Sequence, residues 1–119
     1  LFEALVEQAG ALFSEQSDYG AWVHETHHAE KKDRPSGTAL VLKASLKRGG
    51  YKRAVDVAST RSGSNPGVHS VGFDGLSETV TLTHLTRDRA TFARGALLAA
   101  RWIHGRKGLF SMKDVLGIS

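Results

Sequence analysis

Cysteine is absent from this 119-residue chain, proline occurs twice and methionine once. Without thiols there are no disulfides and no thiolate metal sites, which suits a reducing compartment and a cytoplasmic location. Long apolar runs are lacking too. No stretch approaches the roughly 18 residues of a membrane helix, so we expect a soluble protein with no membrane partner. Nothing at the start resembles a signal peptide, and the chain opens at Leu1 with its one methionine at Met112. We therefore expect a piece of something longer, with enough residues for one domain and its own core. Charge is present but dispersed. Lysine and arginine total 16 against 12 acidic residues, giving a net charge of +4. Lys31 and Lys32, Lys43, Lys47 and Arg48, and Lys52 and Arg53 are not interleaved with aromatics on which bases could stack. No nucleic-acid partner is expected, and the same charge would suit a small anionic substrate.

Apolar spacing organises the rest. In residues 1–13, Leu1, Leu5 and Leu12 and then Phe2, Val6, Ala9 and Phe13 recur with helical period. Residues 19–28 begin with Tyr19, Trp22 and Val23 and then alternate, Glu25 and His27 against Thr26 and His28, which predicts a strand. A charged loop, 29–34, closes at Pro35. Ser36, Gly37 and Thr38 introduce a helix over 38–48 with Leu40, Val41, Ala44 and Leu46 to bury, stopped by Gly49 and Gly50. Period-two alternation predicts strands at 54–61, 68–73 and 78–85, divided by turn formers. A final helix, 91–105, is apolar on most sides and leads into a short apolar tail. The expected fold is α+β: a mixed, largely antiparallel four-stranded sheet with helices on one face.

Two patterns compete for the histidines. His24-Glu25-Thr26-His27-His28 satisfies the zinc-protease string H-E-x-x-H. That string needs a helix. On a strand His24 and His28 lie about 13 Å apart, Lys31 follows with an ammonium, and no third ligand is spaced to join them. No metal is expected. The more informative arrangement runs from His27 to Thr38. A helix N-terminus at Ser36, Gly37 and Thr38 offers unpaired N–H groups and the positive end of the macrodipole to a carboxylate or phosphate. His27, His28 and Lys31 on the adjoining loop add cationic and proton-transferring groups, with Asp33 placed to hold Lys31.

That stretch, H-H-A-E-K-K-D-R-P-S-G-T-A, resembles the signature H-H-x-x-K-x-D-x-P-S-G-T-A of dihydrodipicolinate reductases. Arg61-x-Gly63 with Gly67-Val68-His69-Ser70-Val71, Arg89 to Ala96, and Gly108 to Leu116 resemble further family segments in the same order. The resemblance implies a substrate-binding and tetramerisation domain spanning 1–119, similar to the glyceraldehyde-3-phosphate dehydrogenase-like C-terminal domain, assembling as a homotetramer through its sheet. Residues 90–118 would be a return helix and tail that pack on an N-terminal Rossmann domain binding NADH or NADPH. The reaction implied is reduction of a small cyclic dicarboxylate to tetrahydrodipicolinate, in diaminopimelate and lysine biosynthesis. His27 and Lys31 would be catalytic. His28, Lys31, Ser36, Gly37 and Thr38 would bind substrate, and Arg89 and Phe92 would face the cofactor. The alternative is a regulatory or oligomerising paralogue that kept the fold without the chemistry. Trp22 and His24 have no counterpart in the resemblance, Arg34 is bulky for its place before Pro35, and the connection after the second helix is short.

Overall fold

The computed structural model describes residues 1–118 except Arg89, and only the backbone at residues 90–92. Arg89 and the Phe92 side chain, both expected to face the cofactor, therefore lie outside the described residues. Contacts divide the chain into two units, Phe2–Arg87 and Asp88 onward with Leu1.

In the first unit the order is α1 (Phe2–Phe13), β1 (Gly20–His27), α2 (Gly37–Gly49), β2 (Val55–Arg61), β3 (Val68–Asp74) and β4 (Thr79–Leu85). The sheet order is β2-β1-β3-β4. β1 and β2 are parallel and joined by the α2 crossover, whereas β1–β3 and β3–β4 are antiparallel. This is the mixed, largely antiparallel α+β sheet with helices on one face that the alternation predicts.

Register turns the inner face into rows. Val55, Ala21, Phe73 and Val80 form one row across the four strands, and Val57, Val23, Val71 and Leu82 the next. α1 contributes Val6 and Ala9 to the core above them, with Phe2 and Phe13 packed at its margin. Phe13 stacks on Phe73 at 4.1 Å. Leu1, Leu5 and Leu12, the other helical-period set, are exposed.

The second helix corrects the expected core. Leu46 is buried, but Leu40, Val41 and Ala44 face away, and Ala39, Leu42 and Ser45 take their place. The physical reason is the closeness of α1 and α2. A Cβ added to Gly49 would lie 2.1 Å from the Glu7 carbonyl oxygen, and one on Gly10 2.7 Å from that of Leu46. The face of α2 that carries its glycine must meet α1, and this aligns Leu42 and Leu46 with the core, each stabilising by about 2 kcal/mol on burial. Arg48 Nε adds a 3.1 Å pair with Glu7 across the same contact.

The opposite face of the sheet carries Trp22, His24, Thr26, Ser70 and Thr83. Here Trp22 finds its reason: its indole lies over Gly72, its cross-strand partner, where any Cβ would sit 2.1 Å from the ring. His24 Nε2 pairs with Thr60 Oγ1 at 3.0 Å.

In the second unit α3 spans Ala90–Ile103 and α4 spans Met112–Leu116. Trp102 and Phe110 meet edge to face at 4.9 Å, closing the turn between the helices. Where sequence spacing suggests only an apolar tail, α4 forms, its start held by Asp114 accepting the Ser111 amide at 2.7 Å. Leu97, Leu98 and Ile103 are exposed.

Candidate functional site

Beyond the two apolar rows, the inner face becomes polar. Ser59, Glu25, His69 and His84 form the third row, and Arg61 and His27 are partners in the fourth, with Gly67 close beside His27. These rows lie at the carboxyl ends of the parallel strands β1 and β2. A crossover helix starts at that end of the strand before it, so α2 begins beside them.

Glu25 is the centre. It is fully buried, and its carboxylate accepts from Arg61 through both terminal guanidinium nitrogens, Nη2 at 2.9 Å. It also accepts from His27 Nδ1 at 2.8 Å, the Ser36 amide at 2.6 Å and Ser59 Oγ at 3.2 Å. Burial alone would raise its pKa, but the hydrogen bonds from Arg61, His27 and the Ser36 amide outweigh that and hold it well below the usual carboxylate range. Arg61 reaches further: Nε donates to the Lys31 carbonyl at 3.1 Å and Nη2 to that of Asp33 at 2.6 Å. One guanidinium thus ties the loop before α2 to strand β2. The Arg34–Pro35 peptide in that loop is cis.

The residues expected at the site occupy different shells of this arrangement. His27 is buried at the end of β1, with its ring 5.0 Å from that of His69. His28, one residue beyond the strand, is exposed. Lys31 pairs with Asp33 at 3.0 Å, and its ammonium lowers the Asp33 pKa. Ser36 is built into the protein. Its hydroxyl accepts from the Ala39 amide at 3.1 Å as the helix cap and lies 3.2 Å from His69 Nε2. Burial, then the charge of His27, push His69 down to about 4, so it is neutral near pH 7 and can accept the Ser36 proton. Gly37 and Thr38 are exposed, and among the described residues nothing accepts from their amides.

Sequence reasoning overlooked Glu25, Ser59, Arg61 and His69 as site residues. The signal was present in β1, where Ala21, Val23, Glu25 and His27 share one parity. A carboxylate on the core-facing parity must have buried donors, and register supplies them from β2 and β3. As for zinc, the string's two histidines are His24, on the outer face of β1, and His28, one residue beyond the strand, so no helix turn brings them together, and among the described residues no group of three or more histidine or acidic side chains is arranged to hold a metal ion. The glycines from Gly63 to Gly67 connect β2 to β3 and open no helix, so they do not form a dinucleotide turn.

Chemically, the carboxyl ends of β1 and β2 and the start of α2 offer an imidazole, an ammonium and two helix amides that no described residue accepts from, groups that suit an anion exchanging a proton. The family model described as dihydrodipicolinate reductase, C-terminus, matches residues 1–116. The 4-hydroxy-tetrahydrodipicolinate reductase 1 of Mesorhizobium japonicum is 42% identical over 139 aligned positions, covering 100% of this chain and 50% of that protein. The reductase of Parvibaculum lavamentivorans is 44% identical over 99% of this chain and 50% of its own length. The chain thus spans about half the length of these relatives. The first alignment is also longer than the chain, so that relative has residues without counterparts here. Among solved structures, dipicolinate-bound dihydrodipicolinate reductase from Paenisporosarcina sp. TG-14 shares the fold, with a TM-score of 0.66 over 98% of this chain and 47% of that one, at 20% identity. By the match over residues 1–116, the chain belongs to the dihydrodipicolinate reductase family and carries its C-terminal part.

Proposed function

We propose that this chain is the substrate-binding part of a cytoplasmic 4-hydroxy-tetrahydrodipicolinate reductase, within a longer protein whose remaining portion binds NADH or NADPH. The reading is supported by His27 at the end of β1, by the Lys31 loop that Arg61 ties to the neighbouring strand, and by the Gly37 and Thr38 amides, for which no described residue is an acceptor, in a chain of this family. A cyclic dicarboxylate would place one carboxylate at the start of α2, where the macrodipole and the two amides stabilise negative charge. His28 and Lys31 would hold the second carboxylate from the loop. The nicotinamide supplies hydride when bound. Each hydride leaves the product one proton short, which His27 or Lys31 would deliver. Ser36 acts by fixing the helix start rather than by lending its own amide, which Glu25 already occupies. Residues 90–118, with Leu97, Leu98 and Ile103 exposed, would pack on the cofactor-binding portion, with Arg89 and Phe92 near the cofactor. Association into a homotetramer would use the sheet face opposite the helices.

The test is hydrogen exchange with pyridine-2,6-dicarboxylate. Saturating ligand should slow exchange at Gly37 and Thr38 and change Ser36 least, and Lys31→Ala should abolish the protection. Unchanged exchange at Gly37 and Thr38 would count against the reading. Binding without NADH or NADPH turnover in the full-length protein would favour a non-catalytic paralogue.

A further inference from the structure

We infer that Glu25 and Arg61 are a positioning pair, which fixes His27 with its proton on Nδ1 and so reserves Nε2 for proton exchange with the substrate. The inference deepens the function proposed above and rests on it.

Glu25 has no solvent exposure and cannot touch a ligand, so any effect it has must pass through its neighbours. Its carboxylate is bonded twice by Arg61 and once each by the Ser36 amide and the Ser59 hydroxyl, all of them donors. Those partners make it an ionised group that can only accept. The fourth neighbour, His27 Nδ1 at 2.8 Å, must therefore carry hydrogen whether the imidazole is neutral or protonated. Proton exchange is left to Nε2, which lies on the Gly67 side of the ring. A Cβ at Gly67 would come within 3.1 Å of Nε2, and glycine keeps that edge open. The His69 ring, edge-on at 5.0 Å, restricts rotation of the His27 ring.

Arg61 has a second effect through the backbone. The same guanidinium that orients the Glu25 carboxylate holds the carbonyls of Lys31 and Asp33. The height of the Lys31 loop above the sheet and the tautomer of His27 are thus set by one side chain.

The experiment uses the full-length protein that contains this chain, labelled with 15N-histidine, with His27→Asn to assign the signal. Without ligand and above neutral pH, His27 should show the Nδ1–H tautomer. A predominantly Nε2–H imidazole would overturn the inference, and this reading needs no variant to fold. In Glu25→Gln the Nδ1–H population should fall and kcat should drop about 100-fold with a smaller change in KM, as for loss of a correctly protonated acid/base. A folded Glu25→Gln protein with the tautomer and kcat of the parent would equally sink it. If instead the parent has the expected tautomer but neither binds pyridine-2,6-dicarboxylate nor turns over, the functional reading fails and the positioning geometry stands.

Discussion

At the scale of single residues, the site is held by charges and neutral groups that are kept apart. His69 is neutral in the folded protein because it is buried beside His27, with the Glu25 charge only partly opposing this. In the unfolded chain it would take up a proton near pH 6.5, whereas the native state resists until about 4. Between those values the unfolded state binds more protons, so stability falls as the solution is acidified through that interval. Glu25 acts lower down: its pKa is depressed on folding, so its contribution is present above the ordinary carboxylate range and is lost as pH drops through it. We expect the urea midpoint to decline steadily from neutral pH downwards, with His69 accounting for up to about 3 kcal/mol. His69→Gln should flatten the upper part of that decline. A midpoint that does not move between neutral pH and pH 5 would contradict the assignment.

At the scale of elements, the contact of α1 with α2 is the most demanding. Gly49→Ala would drive a methyl group into the Glu7 carbonyl, and Gly20→Ala meets nothing within 4 Å. The first should destabilise by about 2 kcal/mol or more and the second by much less, as read from denaturant titrations. This contact also explains what could and could not be read from the sequence. Period two located all four strands, and Ser36 with Gly50 marked the start and stop of α2, because caps and alternation are local chemistry. Which face of α2 points inward is not local. Leu40 and Val41 are more apolar than Ser45, yet Ser45 is buried because the partner helix approaches along the glycine side. Likewise His27 and Lys31 could be named from a contiguous stretch. Glu25 gained its meaning only from Ser59, Arg61 and His69, which register brings from strands more than thirty residues away.

At the scale of the whole molecule, the sheet has one face packed by helices and one face of Trp22, His24, Thr26, Ser70 and Thr83. Ser70 Oγ and Thr83 Oγ1 lie 3.0 Å apart across β3 and β4. If copies associate through this face, a charge placed there is desolvated on assembly and opposes it. Ser70→Glu should shift the light-scattering mass toward smaller species while leaving the circular dichroism spectrum and the ligand protection at Gly37 unchanged. An unaltered mass would place the association elsewhere. No helix among the described residues is long and apolar enough to cross a membrane.

The guanidinium of Arg61 bears on how portable this chemistry is. The stretch from His27 to Thr38 reads as a self-contained cassette, but its carbonyls, its acidic neighbour and the first turn of its helix are all fastened, directly or through Glu25, to a residue on another strand. Grafting the twelve-residue stretch onto a foreign scaffold would transfer its functional groups without their arrangement. A successful transplant would need a parallel neighbour strand carrying arginine in register with the first histidine, as Arg61 is with His27.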